Sequence, residues 1–214
     1  LSLTFAIGDI HGCIGPLLRM IERVEDYAPS GKVVFLGDYI DRGPDSRAVV
    51  ETLMAGPRSP DWQWIALKGN HEDMATGAHD GRHNESWWLD NGGIETLASY
   101  GGPVPSPHLN WMAALPLLHT DSHRIFVHAG VREGLYLEDQ APHDLMWLRF
   151  EDDVSGEFWG KHLVHGHTPS PANPRTMGNR TNLDSGCVFG GKLSCAVFDD
   201  SLPGGPATLL QVRS

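Results

Sequence analysis

Cysteine is scarce, with three in 214 residues. Cys13, Cys187 and Cys195 are too few and too scattered for a disulfide framework or a cysteine-built zinc knuckle. They read as small buried side chains in a reducing compartment. Positive charge is short as well: 16 Lys and Arg stand against 27 Asp and Glu, a formal charge of −11. That excludes nucleic acid and anionic membrane as partners, since both need an excess of Lys and Arg. Part of the acidity fits a site that binds divalent cations. No stretch approaches the roughly 18–20 apolar residues of a membrane span. Leu1-Ser2-Leu3-Thr4-Phe5 has neither a basic region nor a long apolar run, so no signal peptide is expected. Nor is there an internal repeat, a low-complexity tract or a linker. A soluble cytoplasmic chain forming one domain over residues 1–214 is the expectation.

What is present is ordinary globular composition, 40% hydrophobic and 20% charged, arranged as strands that end in glycine. Leu3–Ile7 is an apolar run closed by Gly8. From Pro16 the period changes to that of a helix, with Leu17, Leu18, Ile21, Val24 and Ala28 on one face. Lys32–Leu36 follows as a strand and ends at Gly37, completing a β-α-β unit. Pro44-Asp45 opens a second helix, and Trp62–Leu67 is a strand running into Gly69-Asn70-His71-Glu72. Three strands thus end in a glycine followed by a residue able to bind metal: Asp9, Asp38 and Asn70. Residues 73–114 are less regular, and helices are expected near Glu85–Asp90, Ile94–Ser99 and His108–Leu115. Strands return at Leu117–Thr120, Arg124–His128, His162–Val164, Arg180–Asp184, Lys192–Phe198 and Ala207–Val212, with a turn or short helix at Asp144–Arg149.

The charged strand ends carry the chemistry, because open α/β sheets place ligands at the carboxyl ends of their strands. In an extended backbone Asp9 and His11 project to the same side and can grip one ion. Asp38 offers two oxygens, able to bridge two ions. Asn70 adds an amide oxygen, and His128 and His167 add imidazoles. Oxygen and imidazole donors suit Mn, Fe, Zn or Mg and exclude a thiolate site. His71 alternates to the other side of the chain from Asn70, which suits a general acid.

Five motifs occur in order: Gly8-Asp9-Ile10-His11-Gly12, Gly37-Asp38-Tyr39-Ile40-Asp41-Arg42-Gly43, Gly69-Asn70-His71-Glu72, His128-Ala129-Gly130 and Gly166-His167-Thr168. As a set they resemble the calcineurin-like metallophosphoesterases. Asp41-Arg42-Gly43 and Asn70-His71-Glu72 resemble the serine/threonine protein phosphatase branch in particular. The stretch Trp88 to Gly101, with Asn182-Leu183-Asp184-Ser185-Gly186, is similar to bacterial members, which include protein phosphatases and symmetrical diadenosine-tetraphosphate hydrolases. The resemblance implies a β-sandwich of two mixed sheets flanked by helices. It implies two divalent ions, manganese foremost, one held by Asp9, His11 and Asp38 and the other by Asp38, Asn70, His128 and His167. Pro169 stands where many relatives carry a further histidine ligand, so the first ion should have one imidazole fewer.

The implied mechanism is in-line attack by a metal-bridging hydroxide. His71 would be the general acid, oriented by Asp41, with Arg42 and Arg149 on the phosphoryl oxygens. Glu72 is expected to support its loop, His165 to be structural, and Trp87 and Trp88 to pack. The leading expectation is a serine/threonine, and also tyrosine, protein phosphatase acting on a phosphoprotein or phosphopeptide. The alternatives are a hydrolase of a nucleoside polyphosphate, diadenosine tetraphosphate, and a catalytically silent phosphoprotein-binding module.

Overall fold

The computed structural model describes residues 2–150 and 156–214. Two five-stranded mixed sheets pack face to face with helices outside them, as the motifs implied. One sheet has the order β10-β9-β1-β2-β3, built from β1 (Leu3–Ile7), β2 (Gly31–Phe35), β3 (Trp62–Ala66), β9 (Lys192–Asp199) and β10 (Thr208–Arg213). The other has the order β4-β5-β6-β8-β7, from β4 (Leu118–Thr120), β5 (Arg124–Val127), β6 (His162–His165), β7 (Arg175–Met177) and β8 (Arg180–Asn182).

Strand alternation divides the apolar residues into separate layers. Ala6, Val34, Leu36, Phe126, Val164, Ala196 and Phe198 face inward and form the layer between the sheets. Phe5, Ile7, Val33 and Phe35 point the other way, under α1 (Ile14–Tyr27) and α2 (Ser46–Ala55). Beyond the second sheet, Ile125, Val127 and Leu163 pack with Leu145 of α7 (Pro142–Trp147). On α1 the buried residues are Pro16, Leu17, Met20 and Val24, while Leu18 is 47% exposed. Leu18 was expected to face inward, but it lies about 100° around the helix from Leu17, and Met20 fills the face instead.

Periodicity missed the short strand β7 and, of more consequence, α3 (Asn70–Asp80). It begins where β3 was expected to run on into an extended Asn70-His71 loop. Glu72 accepts from the Gly69 N–H at 2.9 Å, so it caps the helix. Glu72 and Asp73 supply acid in the first turn, and Gly81 closes the helix with a φ of 80°. The rest of the 73–114 block comprises α4 (Glu85–Trp88), a π-helical turn (Leu89–Gly93), α5 (Ile94–Tyr100) and α6 (Ser106–Ala114). No helix among the described residues is long and apolar enough to cross a membrane.

Strand direction decides where the polar loops collect. β1, β2 and β3 are mutually parallel, and so are β5, β6 and β8. Their carboxyl ends therefore deliver Asp9, Asp38, Asn70, His128, His167 and Asp184 to one edge of the sandwich.

Candidate metal centre

All six expected ligands come together, and every one is buried. Asp38 lies at the middle. Its Oδ2 is 3.4 Å from His11 Nε2 and its Oδ1 is 3.4 Å from His128 Nε2. His11 donates its Nδ1–H to the Ile40 carbonyl at 2.8 Å, and His128 donates its own to the Leu36 carbonyl at 2.9 Å. Both rings are thereby fixed with the Nε2 lone pair turned into the site.

These loops are strained. His11, Asp38, Asp41, Arg42 and His167 have φ values of 46°, 54°, 72°, 68° and 66°. Such left-handed conformations cost about 1–3 kcal/mol each, and they collect at functional sites. The expected extended pairing of Asp9 with His11 is replaced by this turn. Glycine lets the loops approach one another: a Cβ at Gly69 would collide with Asp38 Oδ1, and one at Gly166 with Asp9 Oδ1.

Donor chemistry shows that the residues fit metal ions. His128 Nε2, a lone pair, faces Asn70 Oδ1 at 2.8 Å, and His167 Nδ1 faces the same oxygen at 3.0 Å. The other ring nitrogen of His167, Nε2, is buried with no hydrogen-bond partner among the described residues. Acceptors crowded together in this way call for a cation. Two groups have donor atoms all within 4.8 Å of one another: Asp38, His128 and His167, and His11, Asp38 and His71.

Two placements differ in detail from the expected ligand sets. Asp9 lies outside both groups and accepts the His167 N–H at 3.2 and 3.1 Å. His71 falls inside the group around His11, its Nε2 4.0 Å from Asp38 Oδ2. It stands in the first turn of α3, not on the far side of an extended chain, and its ring meets that of His11 edge-on at 4.6 Å.

The electrostatics follow from burial and crowding. His11 and His167 are each pushed down to about 3, first by burial and then by neighbouring imidazole charge. They are neutral rings, as metal binding requires. Burial disfavours charge on Asp38, but His128, His71, His11 and His167 more than offset it and hold the carboxyl below its usual range. Burial raises Asp9, and the charges of Asp184 and Asp38 raise it further. Burial would lower His71 too, yet Asp38 and the hydrogen-bonded Asp41 outweigh it, so its pKa stands above the usual imidazole value.

His71 Nδ1 donates to Asp41 Oδ2 at 2.7 Å. Asp41 is in turn held by Trp88 Nε1–H at 3.0 and 3.1 Å and by the Thr96 hydroxyl at 2.6 Å. Arg42 Nη1 donates to His11 Nε2 at 2.8 Å. Arg149 is exposed at the rim, where its charge reaches His167 and Asp184.

Glu72 acts on its loop, the part expected of it, and Trp88 and Asp184 gain roles that the sequence missed. Glu72 accepts the N–H groups of Asp38 at 2.9 Å and Tyr39 at 2.8 Å, besides that of Gly69. It ties the Asp38 loop to α3. Trp88 holds Asp41, where only packing was expected. Asp184, pushed up to about 6 by burial and then by Asp38, is an extra carboxyl beside Asp9. His165 is structural as expected, donating Nδ1–H to the Gly166 carbonyl at 3.1 Å and facing Arg180 Nη1 at 3.3 Å through Nε2.

A family model described as calcineurin-like phosphoesterase matches residues 4–199. The serine/threonine-protein phosphatase 1 of Salmonella typhimurium is 28% identical over 205 residues, covering 90% of each chain. A bis(5'-nucleosyl)-tetraphosphatase of Anoxybacillus flavithermus, named as asymmetrical, is 28% identical over 227 residues, covering 91% of this chain and 89% of that protein. The sequence resemblance had pointed to the symmetrical kind. Among solved structures, a serine/threonine phosphatase from Saccharomyces cerevisiae superposes with a TM-score of 0.67 at 16% identity, covering 99% of this chain and 79% of its own. At that identity the likeness shows the fold alone.

Proposed function

The chain belongs to the calcineurin-like phosphoesterase family, and from that premise we propose a dinuclear-metal phosphomonoesterase that acts on phosphoserine and phosphothreonine in proteins, and also on phosphotyrosine. The observation that carries this reading is the pairing of His71 with Asp41 at 2.7 Å beside the convergent donors around Asp38. One ion would be held by Asp9, His11 and Asp38, the other by Asp38, Asn70, His128 and His167. Manganese, iron, zinc and magnesium all suit such donors. When bound, two such ions supply Lewis acidity toward the phosphoryl oxygens and lower the pKa of water.

The chain's own residues do the rest. Arg42 and Arg149 hold the phosphoryl oxygens by charge-assisted hydrogen bonds. Hydrolysis adds water across the P–O bond, releasing phosphate and the alcohol. A serine or threonine alkoxide leaves poorly, so it needs a proton as that bond breaks. His71 supplies it from Nε2, while its Nδ1–H stays on Asp41. Trp88 and Thr96 donate to Asp41 and hold it against His71, whose pKa Asp38 and Asp41 raise, which favours the imidazolium before transfer.

Protein substrates are favoured over nucleotides by the charge beside the site, where Arg42 is bordered by Asp90 and Glu95. A second reading, a dinucleoside-polyphosphate hydrolase, draws on a different observation. Trp87, 39% exposed, stacks on Trp147 at 5.5 Å and 22°, and Trp147 meets His167 edge-on at 5.9 Å. A flat aromatic face of that kind suits a nucleobase. Turnover of a phosphothreonine peptide against diadenosine tetraphosphate, both with Mn and with Asp38→Ala as the blank, separates the two. Preference for the peptide supports the first reading, and preference for the dinucleotide supports the second.

A further inference from the structure

An open cleft of about 620 Å³ runs from Arg42 along the π-helical turn and the start of α5. Its walls are of two kinds. Ile94 and Phe189 are large apolar side chains left 60% and 64% exposed. Asp90 and Glu95 are exposed carboxylates with no ion pair or hydrogen bond among the described residues. Among the described residues Arg42 is the only cation in the lining.

The cleft is built onto the site. The Arg42 N–H donates to the Gly92 carbonyl at 3.1 Å, and the Arg42 guanidinium lies 5.6 Å from the Phe189 ring centre. Gly92 has a φ of 110°, and a Cβ there would come within 2.6 Å of the Arg42 nitrogen. The turn therefore presses directly against the loop that carries Arg42. A substrate held at Arg42 by its phosphoryl group can lay its neighbouring atoms over Ile94, Phe189, Asp90 and Glu95.

We propose that this cleft is the docking site for the polypeptide flanking the phosphorylated residue, and that it selects an arginine or lysine there. The proposal rests on the phosphoprotein reading above. A long basic side chain matches both kinds of wall, laying its aliphatic stem on Ile94 and Phe189 and bringing its charged end to Asp90 or Glu95. An extended chain covers roughly 3.3–3.6 Å per residue, so positions within about three residues of the phosphate are the ones read. An acidic flank is repelled, and so is a chain of further phosphates.

The test uses the Mn-loaded protein and three phosphothreonine peptides that differ only at the two positions on either side of the phosphoresidue, filled with Arg, Ala or Glu. The expected order of kcat/KM is Arg above Ala above Glu. The span from Arg to Glu should be about tenfold, the size of a few exposed ion pairs. It should lie in KM and shrink as salt rises toward about 1 M. The double substitution Asp90→Lys/Glu95→Lys should reverse the order, and Asp90→Asn/Glu95→Gln should flatten it. Phenyl phosphate turnover should be unchanged in both variants, which also shows that they fold. Equal turnover of the three peptides, or an order that neither double variant alters, overturns the cleft assignment and leaves the phosphoprotein reading standing. Turnover of diadenosine tetraphosphate with none of any peptide overturns both.

Discussion

Trp88 donates its indole N–H to both oxygens of Asp41, at 3.0 and 3.1 Å, from 47 residues away in the chain. The contact explains why the helical block lies against the Asp41 loop. A fully buried carboxylate needs its donors, and the indole adds to those of His71 and Thr96.

Trp88→Phe keeps the packing and removes that donor. Loss of one hydrogen bond to a buried charge costs about 1–3 kcal/mol. Turnover of a phosphothreonine peptide should fall roughly tenfold with ion content unchanged, as measured by steady-state kinetics and metal analysis. Undiminished turnover would mean the indole only fills space.

Glu72→Gln tests the tie between α3 and the Asp38 loop. Glu72 accepts four backbone N–H groups, those of Asp38, Tyr39, Ile40 and Gly69. An amide presents an NH₂ to some of them and cannot accept all four. Ion affinity should drop about 10–100-fold, read by titration with Mn. Affinity equal to that of the parent protein would show that the loop holds its shape without the carboxylate.

The resemblance had assigned the ligands by motif order alone, and the parallel strands explain why that order works. A strand closed by glycine and followed by Asp9, Asp38 or Asn70 is visible in one dimension, and the sheets simply align those ends. The contacts that hold the ligands in place were not visible. Glu72 reads as a support for its own loop, but the Asp38 and Tyr39 N–H groups that it accepts lie 34 and 33 residues away, while Gly81 and the acidic first turn are local signals for α3. Trp88 reads as core, because nothing local says which way an indole N–H points. Asp184 also stands at a strand end, but it follows Leu183 where Asp9, Asp38 and Asn70 each follow a glycine, and the resemblance gives it no role. Arg124 is the extreme case, a fully buried cation donating to the Asp199 and Leu202 carbonyls and lying over the Phe198 ring at 4.7 Å. Those partners are distant in the chain, and no local pattern names them.

Acid sensitivity should arise partly away from the site. His162 on β6 is buried, bonded to the Thr181 hydroxyl at 2.8 Å, and pushed down to about 4 by burial and then by Arg124. The unfolded chain takes up this proton near pH ~6.5, the folded one only near pH 4. Between those values the unfolded state binds more protons, so stability rises with pH and is lost as pH falls through that window. Urea midpoints for the metal-free protein should therefore decline from about pH 6.5 to about 4, and His162→Gln should flatten part of the decline. A parallel decline in the variant would place the sensitivity elsewhere.

The most direct test of the general-acid assignment is His71→Asn, read by both metal content and turnover. Close to two ions per chain are expected in the variant, as in the parent. Turnover of the phosphothreonine peptide should fall about 10²–10⁴-fold, the usual contribution of a general acid. The fall should be much smaller for nitrophenyl phosphate, whose leaving group needs no proton. Loss of an ion, with both substrates impaired alike, would contradict the assignment: His71 would then be a ligand alongside His11 and Asp38, and the proton would have to come from elsewhere.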